Sequence, residues 1–261
     1  MKYKFTKKQT QILQKTLSIL LALLVWQAVS MLISAFSSLD FLFASPLAVV
    51  KRMGSLLFEA TFISSLCFTF QRIAGGFFLA MAMGVVLAVL AGRFQFVEIL
   101  LWPYMVTIKS VPVASFVIFI LICVGSSSLS VFISALMVLP IIYTNTLTGI
   151  RSTDPELDQM AEVFQISFAK RLFYVKLPQI KPFFMSGVTV SLGLAWKSGV
   201  AAELIGQPDG SIGEALYLSK IWYKMDELFC WTIVIILLSF CFEKLVLFIF
   251  ERLFRRLERL S

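Results

Sequence analysis

Residues 74–91 read AGGFFLAMAMGVVLAVLA, eighteen consecutive residues without a charge, a proline or an amide side chain. An α-helix rises about 1.5 Å per residue, so this run extends about 27 Å, close to the ~30 Å hydrocarbon thickness of a bilayer. Five further blocks share its character: Leu17–Phe36, Leu100–Val124, Leu129–Ile150, Phe183–Gly206 and Leu228–Phe250. The third contains Pro103, Lys109 and Pro112, so its start is expected to be kinked or interfacial, because proline removes a backbone donor and clashes with the preceding turn. The fold class that follows is all-α, a polytopic membrane protein with six transmembrane helices.

Composition agrees. Of 261 residues, 59% are hydrophobic and 15% charged, against roughly a quarter charged in a soluble domain. The basic start KYKFTKK before the first block also resembles a signal peptide, but the block is long for one and further spans follow, so an uncleaved span is preferred. There is no histidine, which removes the commonest neutral-pH base and metal ligand. Cys67, Cys123, Cys230 and Cys241 show neither a C-x-x-C pair nor zinc spacing and read as small buried hydrophobes. The net charge of +8 is clustered at block ends, the pattern of a topology signal rather than of a nucleic-acid face.

Lys2, Lys4, Lys7, Lys8 and Lys15 precede the first block. Arg151, Lys170, Arg171, Lys176 and Lys181 lie between the fourth and fifth, and Arg252, Arg255, Arg256 and Arg259 follow the sixth. The alternate loops are lean, with Lys51 and Arg52, none in GSSSLS, then Lys220 and Lys224. Lysine and arginine favour the cytoplasmic side, so both termini are expected there. Residues 45–73 then form one or two interfacial helices on the outer side, with Arg72 reaching toward headgroups just before the second span. The basic end FERLFRRLERLS either continues the sixth span or lies on the bilayer.

Small residues recur every fourth position in span two (Gly76, Ala80, Gly84, Ala88, Gly92) and span five (Gly187, Ser191, Ala195, Gly199). Such stripes permit close backbone approach between helices in lipid; bundle packing explains them, and for span five a face toward a translocation path stays open beside it. Span five also carries Lys197, Ser198 and Glu203. Charges at membrane depth normally face protein or water, so Lys197 is expected to point inward, whereas Glu203 lies near the outer end and can reach the interface.

Between spans four and five the pattern is that of a helical hairpin. Asp154 is placed to cap a helix starting at Pro155, with Leu157, Met160, Ala161 and Phe164 on one face. Gln165-Ile166-Ser167 breaks the run, Ser167 is placed to cap a second short helix bearing Phe168, Leu172 and Val175, and Pro178 and Pro182 frame the entry to span five. Pattern alone leaves two uses for the apolar ridge: docking in a partner's groove, or burial against the chain's own spans.

At this point the sequence resembles a family. DPELDQMAEVFQISFAKRLFYVKLPQIKPFFMSG (154–187) is similar to the cytoplasmic "EAA" loop of ABC-importer permeases, with Val175-Lys176-Leu177-Pro178, Pro182 and Gly187 matching its later part. Ser45-Pro46, Ser65-Leu66 with Arg72 and Gly76, Trp102-Pro103, Val111-Pro112, Asn145-Thr146 with Gly149-Ile150, Asp154-Pro155-Glu156-Leu157, and Ala195-Trp196 before Ala201-Ala202-Glu203 resemble the nitrate/sulfonate/taurine-type subfamily over roughly residues 45–255. Gln159, Met160 and Gln165 depart from the usual glutamate, alanine and glycine of the loop. A glutamine disfavours the left-handed turn that glycine tolerates, so a different hairpin geometry is expected.

The resemblance implies a type I ABC-importer permease fold: a tail and first helix over 1–44, a permease domain over 45–255 with outer segment 45–73 and coupling loop 151–182, and a basic tail over 256–261. It implies two permease chains, forming a homodimer around one path for a small solute, with an anion favoured by paired Lys197 residues. An extracellular or periplasmic binding protein would deliver the solute, and cytoplasmic ATPase subunits would supply ATP and Mg. The chain itself would bind no cofactor, for it contains no G-x-x-x-x-G-K-[ST] loop. Leu157, Met160, Ala161, Phe164, Gln165 and Phe168 would couple to the ATPase, and Lys197, Ser198 and Glu203 would line or gate the path. Other readings are a phosphonate or amino-acid importer subfamily, an ion-coupled secondary transporter, for which embedded carboxylates are too few, and a membrane scaffold without transport.

Overall fold

In a computed structural model of the chain, residues 7–36 and 43–259 are described, with side chains over 13–33 and 43–256. Of the expected basic topology signals, Lys2 and Lys4 and the side chains of Lys7, Lys8 and Arg259 lie outside the described residues. The described chain is all-helical. In order come α1 (Lys7–Phe36), α2 (Pro46–Leu56), α3 (Ala60–Arg93), α4 (Gln95–Ser110), α5 (Val113–Val124) and α6 (Leu129–Arg151). Then follow α7 (Pro155–Val163), α8 (Phe168–Arg171), a π-helical turn (Leu172–Lys176), α9 (Leu177–Gly206), α10 (Ile212–Ile221) and α11 (Met225–Arg259).

Five stretches are long and apolar enough to cross a membrane, and α4 with α5 makes a sixth if that pair, bent by 108°, is one broken span. The break is not at Pro103, which sits inside α4, but at Val111-Pro112. Proline disfavours the helical region for its predecessor, and Val111 is extended at φ −81°, ψ 134°.

Residues 45–73 differ from expectation over their second half. Residues 46–56 form the separate helix α2, begun by Ser45, whose hydroxyl accepts from the Ala48 amide, and by Pro46 at the first helical position. Residues 60–73, however, are the start of α3 and continuous with the span. At 34 residues α3 is about 51 Å long, well beyond a bilayer core. Arg72 therefore lies within a helix, and its Nε donates to the Ser127 carbonyl in the α5–α6 turn at 2.5 Å while its guanidinium covers the Phe68 ring.

The chain divides into two compact units, one of residues up to 63 with 215–234, the other of 64–214 with 235 onward. In the first, Arg52 pairs with Glu59 and Glu227, both at 2.8 Å, Phe62 stacks on Trp231, and Cys230 donates to the Val49 carbonyl. The second is built on α3, α6, α9 and the later part of α11, whose core holds Ile73, Phe77, Ile142, Leu192, Trp196 and Phe242.

The small-residue stripes are buried except at Gly92, which is exposed. At Gly199 a β-carbon would stand 2.6 Å from Ser134 Oγ and 2.7 Å from Ile73 Cγ1, so only glycine lets α9 approach α6 and α3 this closely. Of the cysteines only Cys230 is buried; Cys67, Cys123 and Cys241 lie on the exterior. A chain surrounded by lipid can carry small apolar side chains outward at little cost, which burial rules drawn from soluble proteins miss.

Candidate functional site

The hairpin between α6 and α9 forms as its residues dictate. Asp154 accepts from the Glu156 amide at 2.8 Å and Pro155 opens α7. The helix ends in a Schellman-type closure, in which the Ile166 amide donates to the Ala161 carbonyl at 2.9 Å and the chain reverses at Gln165. Gln165 takes the left-handed conformation, φ 51°, which a glycine would adopt freely and which strains a residue with a β-carbon. Ser167 occupies the cap position of α8 without a capping hydrogen bond from its side chain, unlike the expected role.

Polar contacts brace the hairpin. Asp158 pairs with Arg171 through two contacts and with Lys176 at 3.3 Å. The Arg171 hydrogen bond, with Lys176 adding to it, holds the Asp158 carboxyl down at about 2. Gln179 bridges the base: its Oε1 accepts from the Asp154 amide at 2.7 Å and its Nε2 donates to the Val175 carbonyl at 2.8 Å. The α8 and π-turn residues run into α9 as one stretch over 168–206, so the helix that carries the fifth span begins before the expected Phe183.

The hairpin's apolar side chains divide. Ala161 is fully buried and packs inward, whereas Leu157, Met160, Phe164 and Phe168 are exposed, the two phenylalanines at 72% and 79%. Val163, at 79%, joins them; it lies beside the expected face of Leu157, Met160, Ala161 and Phe164. Gln165 is exposed at the tip.

The three expected path residues are not brought together. Lys197 is exposed on α9, two residues and about 200° from Ala195 and Gly199 of the buried stripe, so it does not face the interior of this chain. Ser198 is buried and donates to the Leu194 carbonyl of its own helix at 2.8 Å.

Glu203 does not reach the interface but is fully buried at the end of α9. Thr69 Oγ1 donates to Glu203 Oε2 at 2.7 Å and accepts from the Ile212 amide at 3.0 Å, while the Gly213 amide lies 3.4 Å from the same carboxylate oxygen. Glu203 thus caps the first turn of α10 from another helix, the favoured place for a carboxylate. Glu203 Oε1 makes no hydrogen bond.

A second polar group lies between α4 and α6, where sequence reading assigned Lys109 no role. Lys109 Nζ donates to Thr144 Oγ1 at 3.3 Å, and Glu98 pairs with Arg151. Lysine inside a broken span was the available signal; that Thr144 stands beside it needed the antiparallel packing of two helices.

The fold and these sites are those of a multi-pass membrane transport component. The chain belongs to the family of binding-protein-dependent transport system inner membrane components, whose model matches residues 81–259. It is 27% identical over 191 residues to the putative aliphatic sulfonates transport permease protein SsuC of Bacillus subtilis, covering 73% of this chain and 69% of that one. It is 28% identical over 144 residues to the nitrate import permease protein NrtB of Synechococcus elongatus, covering 55% and 51%. A solved amino acid ABC transporter structure, 19% identical, superposes with a TM-score of 0.52 over 82% of this chain and 98% of that one, and shows the same type I permease fold. The chain is a permease subunit of a binding-protein-dependent ABC importer.

Proposed function

We propose that this permease forms half of a two-chain path for a small anionic solute and takes its driving motion through the 154–171 hairpin. The observation that carries this is the apolar tip: Leu157, Met160, Val163, Phe164 and Phe168 stand exposed on a hairpin held rigid by Asp158, Arg171 and Gln179. Exposed aromatic residues on a braced polar scaffold are the anatomy of a docking surface. The hairpin and both termini face the cytoplasm, the partner is an ATP- and Mg-binding ABC ATPase, and the chain itself hydrolyses nothing. Because the 168–206 stretch is unbroken, motion of the hairpin tilts α9 as a lever.

An external binding protein delivers the solute, and a second copy of the chain completes the path. Lys197, on the face of α9 opposite the packed stripe, is the residue that this second copy would enclose. The functions of the two relatives above, aliphatic sulfonate and nitrate transport, support an anion as the cargo.

The test is purification from native membranes in mild detergent. A Walker-motif ATPase should accompany the wild-type chain, and Phe164→Asp should abolish the association while leaving the chain in the membrane. A permease that purifies alone under conditions preserving such complexes, or a Phe164→Asp chain that still holds the ATPase, contradicts the reading.

A further inference from the structure

The last turns of α11 carry a basic hollow that the hairpin does not use. Leu228–Phe250 rises about 34 Å, enough to cross the ~30 Å hydrocarbon layer. Arg252, Arg255 and Arg256 follow within the same helix, about 3–9 Å further on, at headgroup depth. A topology signal needs only positive charge there, but this charge is also arranged. Phe248, Arg252 and Arg256 succeed one another at four-residue spacing with Arg255 beside them, and the four line a hollow of about 450 Å³. A second hollow of about 410 Å³ shares Arg255 and is completed by Glu251 and by Lys181, Pro182 and Met185 of α9.

The cations are unequally satisfied. Arg255 pairs with Glu251 at 3.2 Å, and Lys181 Nζ stands 5.5 Å from the centre of the Phe254 ring. The Arg252 guanidinium lies over the Phe248 ring at 5.6 Å, and neither Arg252 nor Arg256 has a carboxylate partner among the described residues. Four cations against one carboxylate leave a net positive patch. Two guanidinium forks, about 6 Å apart along the helix and without an acidic partner, are complementary to phosphate oxygens. Toward the hydrocarbon the same side of α11 continues as Leu245 and Phe248, both exposed, which match an acyl chain and have nothing to offer a soluble phosphate. The excess charge favours a net-negative headgroup over phosphatidylcholine, which brings its own cation.

We propose that this end of α11 is a binding site for one anionic phospholipid, its phosphate held by Arg252 and Arg256 and an acyl chain lying along Leu245 and Phe248. The site is separate from the hairpin tip and does not depend on the docking of an ATPase.

The probe is palmitoyl-oleoyl phosphatidylglycerol, titrated onto the full chain in mild detergent and counted by native mass spectrometry, with phosphatidylcholine of the same chains as its zwitterionic counterpart. One phosphatidylglycerol should bind saturably and at least ~10-fold more tightly than phosphatidylcholine. Arg252→Gln/Arg256→Gln should weaken it at least ~10-fold, whereas Arg93→Gln/Lys170→Gln, which removes the same charge from exposed positions elsewhere, should change it less than about twofold. Equal losses in the two double variants would reduce the effect to diffuse attraction and overturn the site, as would equal affinity for the two lipids. Displacement of the lipid by sn-glycerol 3-phosphate would overturn it in favour of a soluble phosphate. Unchanged lipid binding in the arginine variant, with loss of ATPase co-purification, would assign the arginines to a protein contact instead. Should that variant aggregate, Arg252→Lys/Arg256→Lys decides: it keeps the charge but loses both forks and should bind about 3–10-fold more weakly, and undiminished binding there overturns the assignment.

Discussion

Gly213→Ala is the substitution whose cost the structure sets most closely. A β-carbon there would collide with Glu203 Cβ and stand 2.6 Å from the Leu204 amide nitrogen, where ordinary contacts begin at 3.4 Å. The obstacle is backbone, so the first turn of α10 must retreat by about 0.8 Å or more, the overpacking response of a dense core. The Gly213 amide, already 3.4 Å from Glu203 Oε2, then loses its bond, and the 3.0 Å bond from the Ile212 amide to Thr69 is stretched. One lost and one weakened bond to buried partners cost about 2 kcal/mol, which raises local opening roughly 30-fold. Hydrogen exchange of a peptide covering residues 208–214, in lipid nanodiscs, reads this directly. Gly193→Ala is the control, because a β-carbon at Gly193 meets nothing within 4 Å and alanine favours the helix by about 1 kcal/mol. Wild-type exchange in Gly213→Ala, or faster exchange in Gly193→Ala, would refute the packing argument.

Gln165→Gly relieves a left-handed residue at φ 51° and should slow exchange across residues 166–171 about fivefold, a gain of about 1 kcal/mol; unchanged or faster exchange would show that the turn is not strained. Asp158, held at about 2 by Arg171 and Lys176, has a folded-state value below its unfolded one, so its stabilisation is present above about pH 4 and fades as pH falls toward about 2. Pepsin cleavage near Phe164, normalised to a reference peptide, should therefore rise over that window in the wild type and stay level in Asp158→Asn; a level wild-type profile counts against the ion pair as a brace.

The elements legible in the sequence were those set by local chemistry. The apolar runs placed the spans, Asp154-Pro155 placed the start of α7, and the stripes through Gly76 and Gly187 marked helix faces that are indeed packed. What escaped depended on other elements. Residues 60–73 look too polar for a span and read as a separate interfacial helix, yet they are the continuous start of α3, which runs on past the α5–α6 turn that Arg72 contacts. Glu203 looks like an interfacial carboxylate until Thr69 and the first turn of α10 are seen closing over it. Gln165 looks incompatible with the turn, but the Ile166–Ala161 bond and the Asp158–Arg171 pair impose the turn on it. Lys109 and Thr144 are separated by a helix break and a chain reversal, so no spacing rule joins them.

The account depends most on the side of the membrane at which the braced turn emerges. With Cys67, Cys123 and Cys241 replaced by serine and Phe164→Cys introduced, a membrane-impermeant maleimide applied to intact cells should leave position 164 unmodified and label it once the cells are permeabilised. Labelling at full extent in intact cells would put the turn on the wrong face to meet an ATPase, and the proposed route of energy into this permease would be contradicted.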